Sequence, residues 1–238
     1  MALTYRALAL LLTYPSADLK ALGPDAMAVI RDEGVVPDTI VRSLGKLVDH
    51  MMASDLYDLQ EAYVQLFDRT RSLSLNLYEH VHGESRDRGP AMVALLELYR
   101  AKGLELSANE LPDHLPVFLE FLSTLPDGEA ASLLGEAAHV LEAMSERLKK
   151  RDSRYRSVFG ALACLAGEAA DQEALAALLQ EPDIDPDDLE ALDKVWEETV
   201  VTFGPEDTGC PKADAMLRTM NAEPAPPRRA PATGGLNL

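Results

Sequence analysis

The stretch from Leu75 to Leu125, LNLYEHVHGESRDRGPAMVALLELYRAKGLELSANELPDHLPVFLEFLSTL, contains the pattern that decides the fold. It holds two polar segments, each followed by a run of apolar residues at helical spacing. In the first polar segment, residues 79–89 (EHVHGESRDRG), eight of eleven side chains are charged, imidazole-bearing or hydroxylic. The second polar segment, residues 110–114 (ELPDH), is shorter. So many polar groups beside apolar helices predict a helical protein with a surface that binds a partner.

Helical spacing of apolar residues recurs along the rest of the chain, while alternating strand patterns are nearly absent. No internal repeat and no glycine-rich linker interrupts residues 1–204. We therefore predict an all-α protein with a single compact, multi-helix bundle-like domain over residues 1–204. Residues 205–238 are predicted to form a flexible, Pro-rich, disordered tail, because they hold too few large apolar side chains to order themselves.

Short polar side chains in front of apolar runs mark predicted helix starts, because such side chains accept hydrogen bonds from the first free N–H groups of a helix. These starts are predicted at Asp38, Ser54, Ser153, Asp171 and Asp185. Asp113 is the predicted N-cap of the helix that carries Leu115 and Phe118. Residues 133–148 are predicted to form one long amphipathic helix, and Gly103 is predicted to end the helix that begins near Pro90.

Acidic residues dominate the charge of the chain. The formal net charge is -18 and the pI about 4.6, so the protein repels phosphate backbones and we predict no nucleic-acid partner. Between Glu168 and Asp207 there are fourteen acidic residues against the single Lys194. Two interpretations stay open at this point: a solvated helical face, or an acidic surface that attracts a basic segment of a partner.

The cysteines and the N-terminus indicate a cytoplasmic protein without membrane insertion. Cys164 lies in an apolar run and is predicted to be buried, Cys210 is predicted to lie in an exposed loop, and neither belongs to a CxxC motif. The apolar N-terminus lacks a preceding basic region and a small-residue cleavage site, which favours a buried first helix over a signal peptide. No apolar stretch approaches the roughly 20 residues that span a bilayer.

No common catalytic motif occurs in the sequence. The patterns GxxxxGK[ST], GxGxxG, GxSxG and HExxH are absent, so nucleotide binding and the common hydrolase chemistries have no support. His80 and His82 would diverge by about 200° on a helix, which is poor geometry for chelation even with His114 nearby. We predict no catalytic residues and no metal ligands. A metal-dependent enzyme that uses His80, His82 and His114 is the alternative.

Five stretches of the sequence resemble the delta-subunit family of respiratory nitrate reductase. The first and most specific is YEHVHGESRDRG at residues 78–89, followed by AMV at 91–93. The second is ELPDHLP at residues 110–116, which is also similar to a motif of the wider chaperone superfamily that serves molybdenum reductases. The other three are YVQLFDR at 63–69, SRY at 153–155 and ALDKVWEE at 191–198.

The resemblance implies an all-helical cytoplasmic assembly chaperone rather than an enzyme. Such a protein binds the apo form of the catalytic alpha subunit, including its N-terminal, leader-like segment. It assists insertion of the molybdenum cofactor and membrane assembly without binding a cofactor stably, and it is absent from the mature enzyme. Three alternatives remain: a chaperone of another molybdoenzyme such as a sulfoxide or amine-oxide reductase, the metal-dependent enzyme, and a permanent subunit of a respiratory complex.

The resemblance and the residue chemistry together predict one client-binding surface made from both polar segments. Charged and imidazole side chains there can make directional contacts, and apolar neighbours can receive a client helix. The predicted client-binding residues are Tyr78, His80, His82, Glu84, Arg86, Asp87, Arg88, Glu110, Asp113, His114, Leu115 and Phe118.

Overall fold

A computed structural model of the chain describes residues 1–83, 85–106, 110–185, 187–190 and 193. These residues belong to one compact unit, Met1–Lys194, and the prediction of an all-α protein is confirmed. The described helices are α1 (Ala2–Leu11), α2 (Ala17–Glu33), α3 (Asp38–Ala53), α4 (Leu56–Phe67), α5 (Leu77–Val81), α6 (Arg88–Ala101), α7 (Leu115–Leu122), α8 (Asp127–Glu136), α9 (Ala138–Lys150), α10 (Arg156–Leu165) and α11 (Gln172–Gln180), with a 3-10 turn at Arg71–Leu73. None of these helices is long and apolar enough to cross a bilayer.

Helix α1 lies in the core, as its apolar sequence predicts. It packs against α2 and α7, and Tyr5, Leu8 and Leu11 are fully buried. No side chain of its own N-cap residue satisfies its first N–H groups. Instead, the carboxylate of Glu33, at the end of α2, accepts hydrogen bonds from Leu3 N (3.1 Å) and Thr4 N (2.9 Å). A residue about 30 positions away in sequence therefore caps the first helix.

The second half of the core is built around α9. This helix packs against α10 and α11, while α10 also contacts α3. The buried guanidinium of Arg147 donates hydrogen bonds to the carbonyl oxygens of Ser72 (2.8 Å) and Leu178 (2.5 Å). One turn later, Arg151 binds Asp183 with an N–O distance of 2.6 Å. Hydrogen bonds of a charged donor contribute about 1.5–3 kcal/mol each, so these arginines hold both the 3-10 turn and the chain after α11 against α9.

An aromatic cluster joins α4 to the core. The Tyr63 ring lies 4.9 Å from the Phe67 ring, and both rings contact Tyr155 at the start of α10. The Tyr63 hydroxyl donates to the carbonyl oxygen of Leu12 (2.8 Å). Because α4 also precedes the 3-10 turn and the first polar segment, this cluster fixes where that segment begins.

Several predicted helix boundaries are wrong by a few residues. Asp38 is the first residue of α3 rather than its cap, and Ser54 ends α3. Asp55 caps α4 instead, accepting a hydrogen bond from Tyr57 N (2.8 Å). Helix α10 begins at Arg156, after a turn that starts at Ser153. A short polar side chain marks the neighbourhood of a helix start, but the backbone geometry decides which residue serves as the cap.

The predicted single helix over residues 133–148 is two helices, α8 and α9. They meet at Ala137, where ψ is 3°. The chain at Gly167 packs across α8 and donates a hydrogen bond to the Ala131 carbonyl (2.9 Å). A Cβ atom on Gly135 would lie 3.3 Å from Glu168 N, so a larger residue there would push this segment away by a few tenths of an ångström. Tertiary packing therefore ends α8 although the apolar periodicity continues.

Other predictions have mixed outcomes. Asp171 caps α11 as predicted, accepting hydrogen bonds from Glu173 N and Ala174 N. Gly103, with φ of 80°, follows the end of α6. Cys164 was predicted to be buried, but it is exposed because it lies on the solvent side of α10. The helix predicted after Asp185, Cys210, the boundary at 204/205 and the predicted tail lie outside the described residues, in whole or in large part.

Candidate functional site

The two polar segments are joined through a short backbone connection that we call the clip, made of residues 74–78 and 112–115. Leu77 N donates to the carbonyl oxygen of Asp113 (3.0 Å), and Leu115 N donates to that of Leu75 (2.8 Å). Between them, Asn76 and His114 form an isolated antiparallel bridge. The clip places α5, which begins the first polar segment, directly against the residues that lead into α7.

Asp113 is the central side chain of the clip. It is fully buried, and its Oδ2 atom accepts a hydrogen bond from Tyr78 N (3.0 Å). The prediction that Asp113 caps α7 is wrong, because its carboxylate caps α5 instead. Helix α7 does not need it: Leu115 N is bound to Leu75, and Pro116 in the first turn has no N–H to satisfy.

Burial makes the Asp113 carboxylate electrostatically unusual. Its Oδ1 atom is buried without a hydrogen-bond partner. Burial raises the pKa of Asp113, although the Tyr78 N–H and the Arg88 guanidinium act to lower it. The hydrogen bond to α5 is thus made at a desolvation cost that disfavours the charged form of Asp113.

His80 and His82 point to different environments, as expected for residues on a helix. His80 is buried, and its Nε2 atom lies 2.8 Å from the Ser74 carbonyl oxygen. Burial lowers the pKa of His80, so the neutral ring donates its Nε2 proton to that carbonyl. His82 is half-buried, with its ring 5.3 Å from the Tyr78 ring. In the described part of the chain, no group of three or more His, Cys, Asp or Glu side chains is placed to hold a metal ion.

An ion pair links α5 to α6 across the first polar segment. Arg88 Nη2 lies 3.1 Å from Glu79 Oε1, and both side chains are half-buried. Burial acts to raise the pKa of Glu79, but hydrogen bonds from Ser74 and Arg88 hold it below its ordinary value. Between the two helices, the exposed turn is held by Ser85, which donates to Asp87 Oδ2 (3.2 Å). Arg86 is exposed on this turn, and Glu84 lies outside the described residues.

A polar pocket of about 240 Å³ opens beside the clip. Its lining includes the carboxylates of Asp68 and Glu110, the His114 ring and the Asn76 amide, with the rings of Tyr63 and Phe67 on its apolar side. His114 Nδ1 lies 3.6 Å from Glu110 Oε2, too far for a hydrogen bond. Burial lowers the pKa of His114 and raises that of Asp68. The pocket therefore presents acceptor groups to a ligand that can donate hydrogen bonds.

The eleven predicted client-binding residues that the structure describes fall into three groups by exposure. Arg86, Asp87 and Glu110 are exposed, and Tyr78, His82, Arg88 and His114 are half-buried. His80, Asp113, Leu115 and Phe118 are buried, the last two within the core. Leu115 and Phe118 are buried because they belong to α7, which is apolar on nearly every side. The buried members can only act by holding the others in place.

Asp68 and Asn76 belong to the pocket but were not among the predicted residues. Asp68 is the next-to-last residue of the stretch YVQLFDR, whose similarity to a known family is itself a signal. Asn76 carried no comparable signal, because it precedes the first polar segment and its position depends on the bridge to His114.

Comparison with known proteins relates these features to one family. A family model described as the nitrate reductase delta subunit matches residues 37–161. The nitrate reductase molybdenum cofactor assembly chaperone NarJ of Escherichia coli (strain K12) is 44% identical over 200 residues, which cover 84% of each protein. The proposed nitrate reductase molybdenum cofactor assembly chaperone NarW of the same strain is 39% identical over 198 residues, covering 83% of this chain and 82% of NarW.

A solved structure shares the fold. It is that of a proposed redox enzyme maturation protein from Archaeoglobus fulgidus, and it matches with a TM-score of 0.51. The match covers 68% of this chain and 91% of the other, at 23% sequence identity. At this identity, the similarity extends to the helical architecture.

The buried carboxylate in the clip gives a testable pH dependence. Because the pKa of Asp113 is raised in the folded state, folding takes up a proton as the pH falls through that pKa. The free energy of unfolding of the wild type, relative to that of Asp113→Asn, should therefore rise as the pH falls from neutrality and level off below the unfolded-state pKa. Urea unfolding of both proteins over a pH series measures this difference.

Asp58→Asn, at an exposed position of α4, is the matched control for the charge change itself. A relative stability of wild type and Asp113→Asn that is flat, or that falls on acidification, would contradict a raised pKa of Asp113 in the folded protein.

Proposed function

Because this chain belongs to the nitrate reductase delta-subunit family, we propose that it is a molybdenum cofactor assembly chaperone for a nitrate reductase. The observation that carries the proposal is the 44% identity to NarJ over 84% of both proteins. The match to NarW supports the same client class. A sulfoxide or amine-oxide reductase as client has no comparable support.

The proposed client is the catalytic alpha subunit before it receives its cofactor. The chaperone assists insertion of the molybdenum cofactor into that subunit and does not keep the cofactor itself. It would act in the cytoplasm, and it would leave before the enzyme is complete. A chaperone needs no reacting side chains of its own, so the chemistry required of this chain is reversible binding.

Three contacts argue against the metal-dependent enzyme. His80 binds the Ser74 carbonyl, His82 packs on the Tyr78 ring, and His114 faces Glu110. Each imidazole is thus directed to a different partner, whereas metal ligands must converge on one point.

We propose that the client contacts the accessible rim of the clip. Glu110 and His114 lie at the pocket, while His82, Arg86 and Asp87 lie on or next to the turn between α5 and α6. All five can make charge-assisted or directional hydrogen bonds, which are the stronger kind at a partly solvated surface. Asp113 and His80 act indirectly: Asp113 holds α5 against the residues before α7, and His80 ties α5 to the carbonyl oxygen of Ser74.

The N-terminal segment of the alpha subunit is the proposed peptide ligand. The net charge of -18, with its excess of acidic residues between Glu168 and Asp207, attracts a basic amphipathic peptide. We expect the affinity for that peptide, measured by titration calorimetry, to fall as salt is added, because exposed charges are screened beyond about 8 Å at physiological ionic strength. An affinity independent of salt would contradict this, because it would show that apolar contacts and not charge attraction drive binding of the peptide.

Two conservative variants test the rim directly. Glu110→Gln and His114→Gln keep the shape of each side chain but remove its charge or its proton affinity. Loss of one hydrogen bond to a charged group should weaken binding of the apo alpha subunit by about tenfold, with less cofactor-loaded reductase as a result. Binding is measured by titration with the alpha subunit, and molybdenum content measures loading.

Glu97→Gln, at an exposed site on α6, is the matched control. The urea midpoint of each variant shows whether the fold is preserved. Normal binding and loading with both variants would show that these side chains serve the fold alone.

A further inference from the structure

The chain that leaves α11 is fastened to α9 at two points. We call residues 178–184 the strap. At its first residue, the Leu178 carbonyl oxygen accepts a hydrogen bond from Arg147 Nη2 (2.5 Å). Near its end, Asp183 Oδ1 accepts one from Arg151 Nη2 (2.6 Å). Arg147 belongs to α9 and Arg151 directly follows it, so the strap runs beside the end of that helix.

The strap also binds the 3-10 turn, through Ser72. This residue is buried, and its hydroxyl donates to Asp183 Oδ1 (2.8 Å). Its carbonyl oxygen accepts from Arg147 Nη1 (2.8 Å). The side chains of Arg151 and Asp183 are only 16% and 23% exposed, so salt screens their attraction less than that of a surface pair. Ser72 is therefore held by α9 through its backbone and by the strap through its side chain.

The 3-10 turn has little stability of its own. It spans only Arg71–Leu73, and short 3-10 turns have poorer hydrogen-bond geometry than α-helices. Leu73 N lies 3.4 Å from the Thr70 carbonyl oxygen, and Ser74 N lies 3.2 Å from that of Arg71. Both distances are long for an N–H donor. The position of the turn is thus set by its contacts with α9, α4 and the strap.

The turn leads directly into the clip. Ser74 follows the turn, and its carbonyl oxygen accepts the Nε2 proton of His80 (2.8 Å). Its hydroxyl oxygen accepts the Asn76 N–H (3.2 Å). Asn76 forms the isolated bridge with His114, which lies at the rim of the clip. A displacement of Ser72 would therefore reach both α5 and this bridge through two residues of chain.

We propose that the strap sets the position of the rim of the clip, with Arg151 and Asp183 as its positioning residues. The inference rests on the proposed function only in treating that rim as a client-binding surface. Asp113 ties α5 to the residues before α7, whereas the strap supports the same clip from the side of α9. The contacts named above form a continuous physical connection, which coupling between two parts of a protein requires in this account.

The first measurement needs no client. Native-state hydrogen exchange of single amides compares the full-length wild type with Asp183→Ala and Arg151→Gln. Each variant removes a hydrogen bond of a charged group that supports the clip, so the Leu77 and Leu115 amides should exchange about tenfold faster. The Ile30 amide, in α2, should exchange at close to its wild-type rate. Equal acceleration at Ile30 and at the clip, or no acceleration at the clip, would overturn the proposal.

Asp185→Asn is the matched control for the loss of a carboxylate from this part of the chain. Asp185 is exposed, and its Oδ1 atom accepts the nearby Asp187 N–H (3.0 Å). The control should leave the exchange rates of the clip amides unchanged, and faster exchange there would count against the strap. Asp183→Asn keeps an acceptor for the Ser72 hydroxyl but loses the ion pair, so its rates should lie between those of the wild type and Asp183→Ala.

The second measurement separates positioning from charge attraction. Asp183→Ala makes the protein less acidic and Arg151→Gln makes it more acidic, so attraction alone would change the affinity for a basic client in opposite directions. If the strap positions the rim, both variants should bind the apo alpha subunit more weakly in a titration. The loss should reach about tenfold, the effect of one misaligned hydrogen bond to a charged group.

Opposite changes in affinity, or unchanged affinity in both variants, would show that the strap does not position the rim. A wild-type protein that fails to bind the alpha subunit would instead contradict the proposed function. In that case the exchange rates of Leu77 and Leu115 still decide whether the strap supports the clip, because they are measured without a client.

Discussion

The buried carboxylate of Asp113 on the N-terminus of α5 is the interaction on which the candidate site depends. Its Oδ2 atom accepts the Tyr78 N–H, and its own carbonyl oxygen accepts the Leu77 N–H. Helix α5 has five residues and no cap of its own, so it is too short to be stable alone. Asp113 therefore ties α5, and with it His82 and the following turn, to the residues beside Glu110 and His114.

Glu33 performs the same task at α1, where its carboxylate accepts two N–H groups of a helix that lacks a local cap. In both places a tertiary contact replaces a local one. A local cap stabilises its own helix only, whereas a distant cap also fixes the position of one segment against another. Arg147 extends this principle to carbonyl groups, because it holds the 3-10 turn and the end of α11 to α9.

Apolar periodicity predicts the all-α class and most helices, because burying an apolar face is a property of each local stretch. It fails where the deciding contact is distant. The sequence around Asp113 has the form of a local cap, and only the bridge between Asn76 and His114 reveals its real partner. Ala137 lies in an unbroken helical pattern, yet packing of the chain at Gly167 divides that helix in two. The charged residues of the site are recognisable from sequence, but whether each is buried or exposed depends on the packing of α7.

The two polar segments together form one binding surface because their side chains differ in burial. The buried groups fix the geometry, and the accessible groups remain available to a client. Native-state hydrogen exchange at single amides tests this most directly. The account predicts that the Tyr78 amide is nearly as protected as the core amides of α7. It also predicts that Asp113→Ala removes protection from Tyr78 while leaving α9 protected. A Tyr78 amide that exchanges in the wild type as fast as an exposed amide would contradict it.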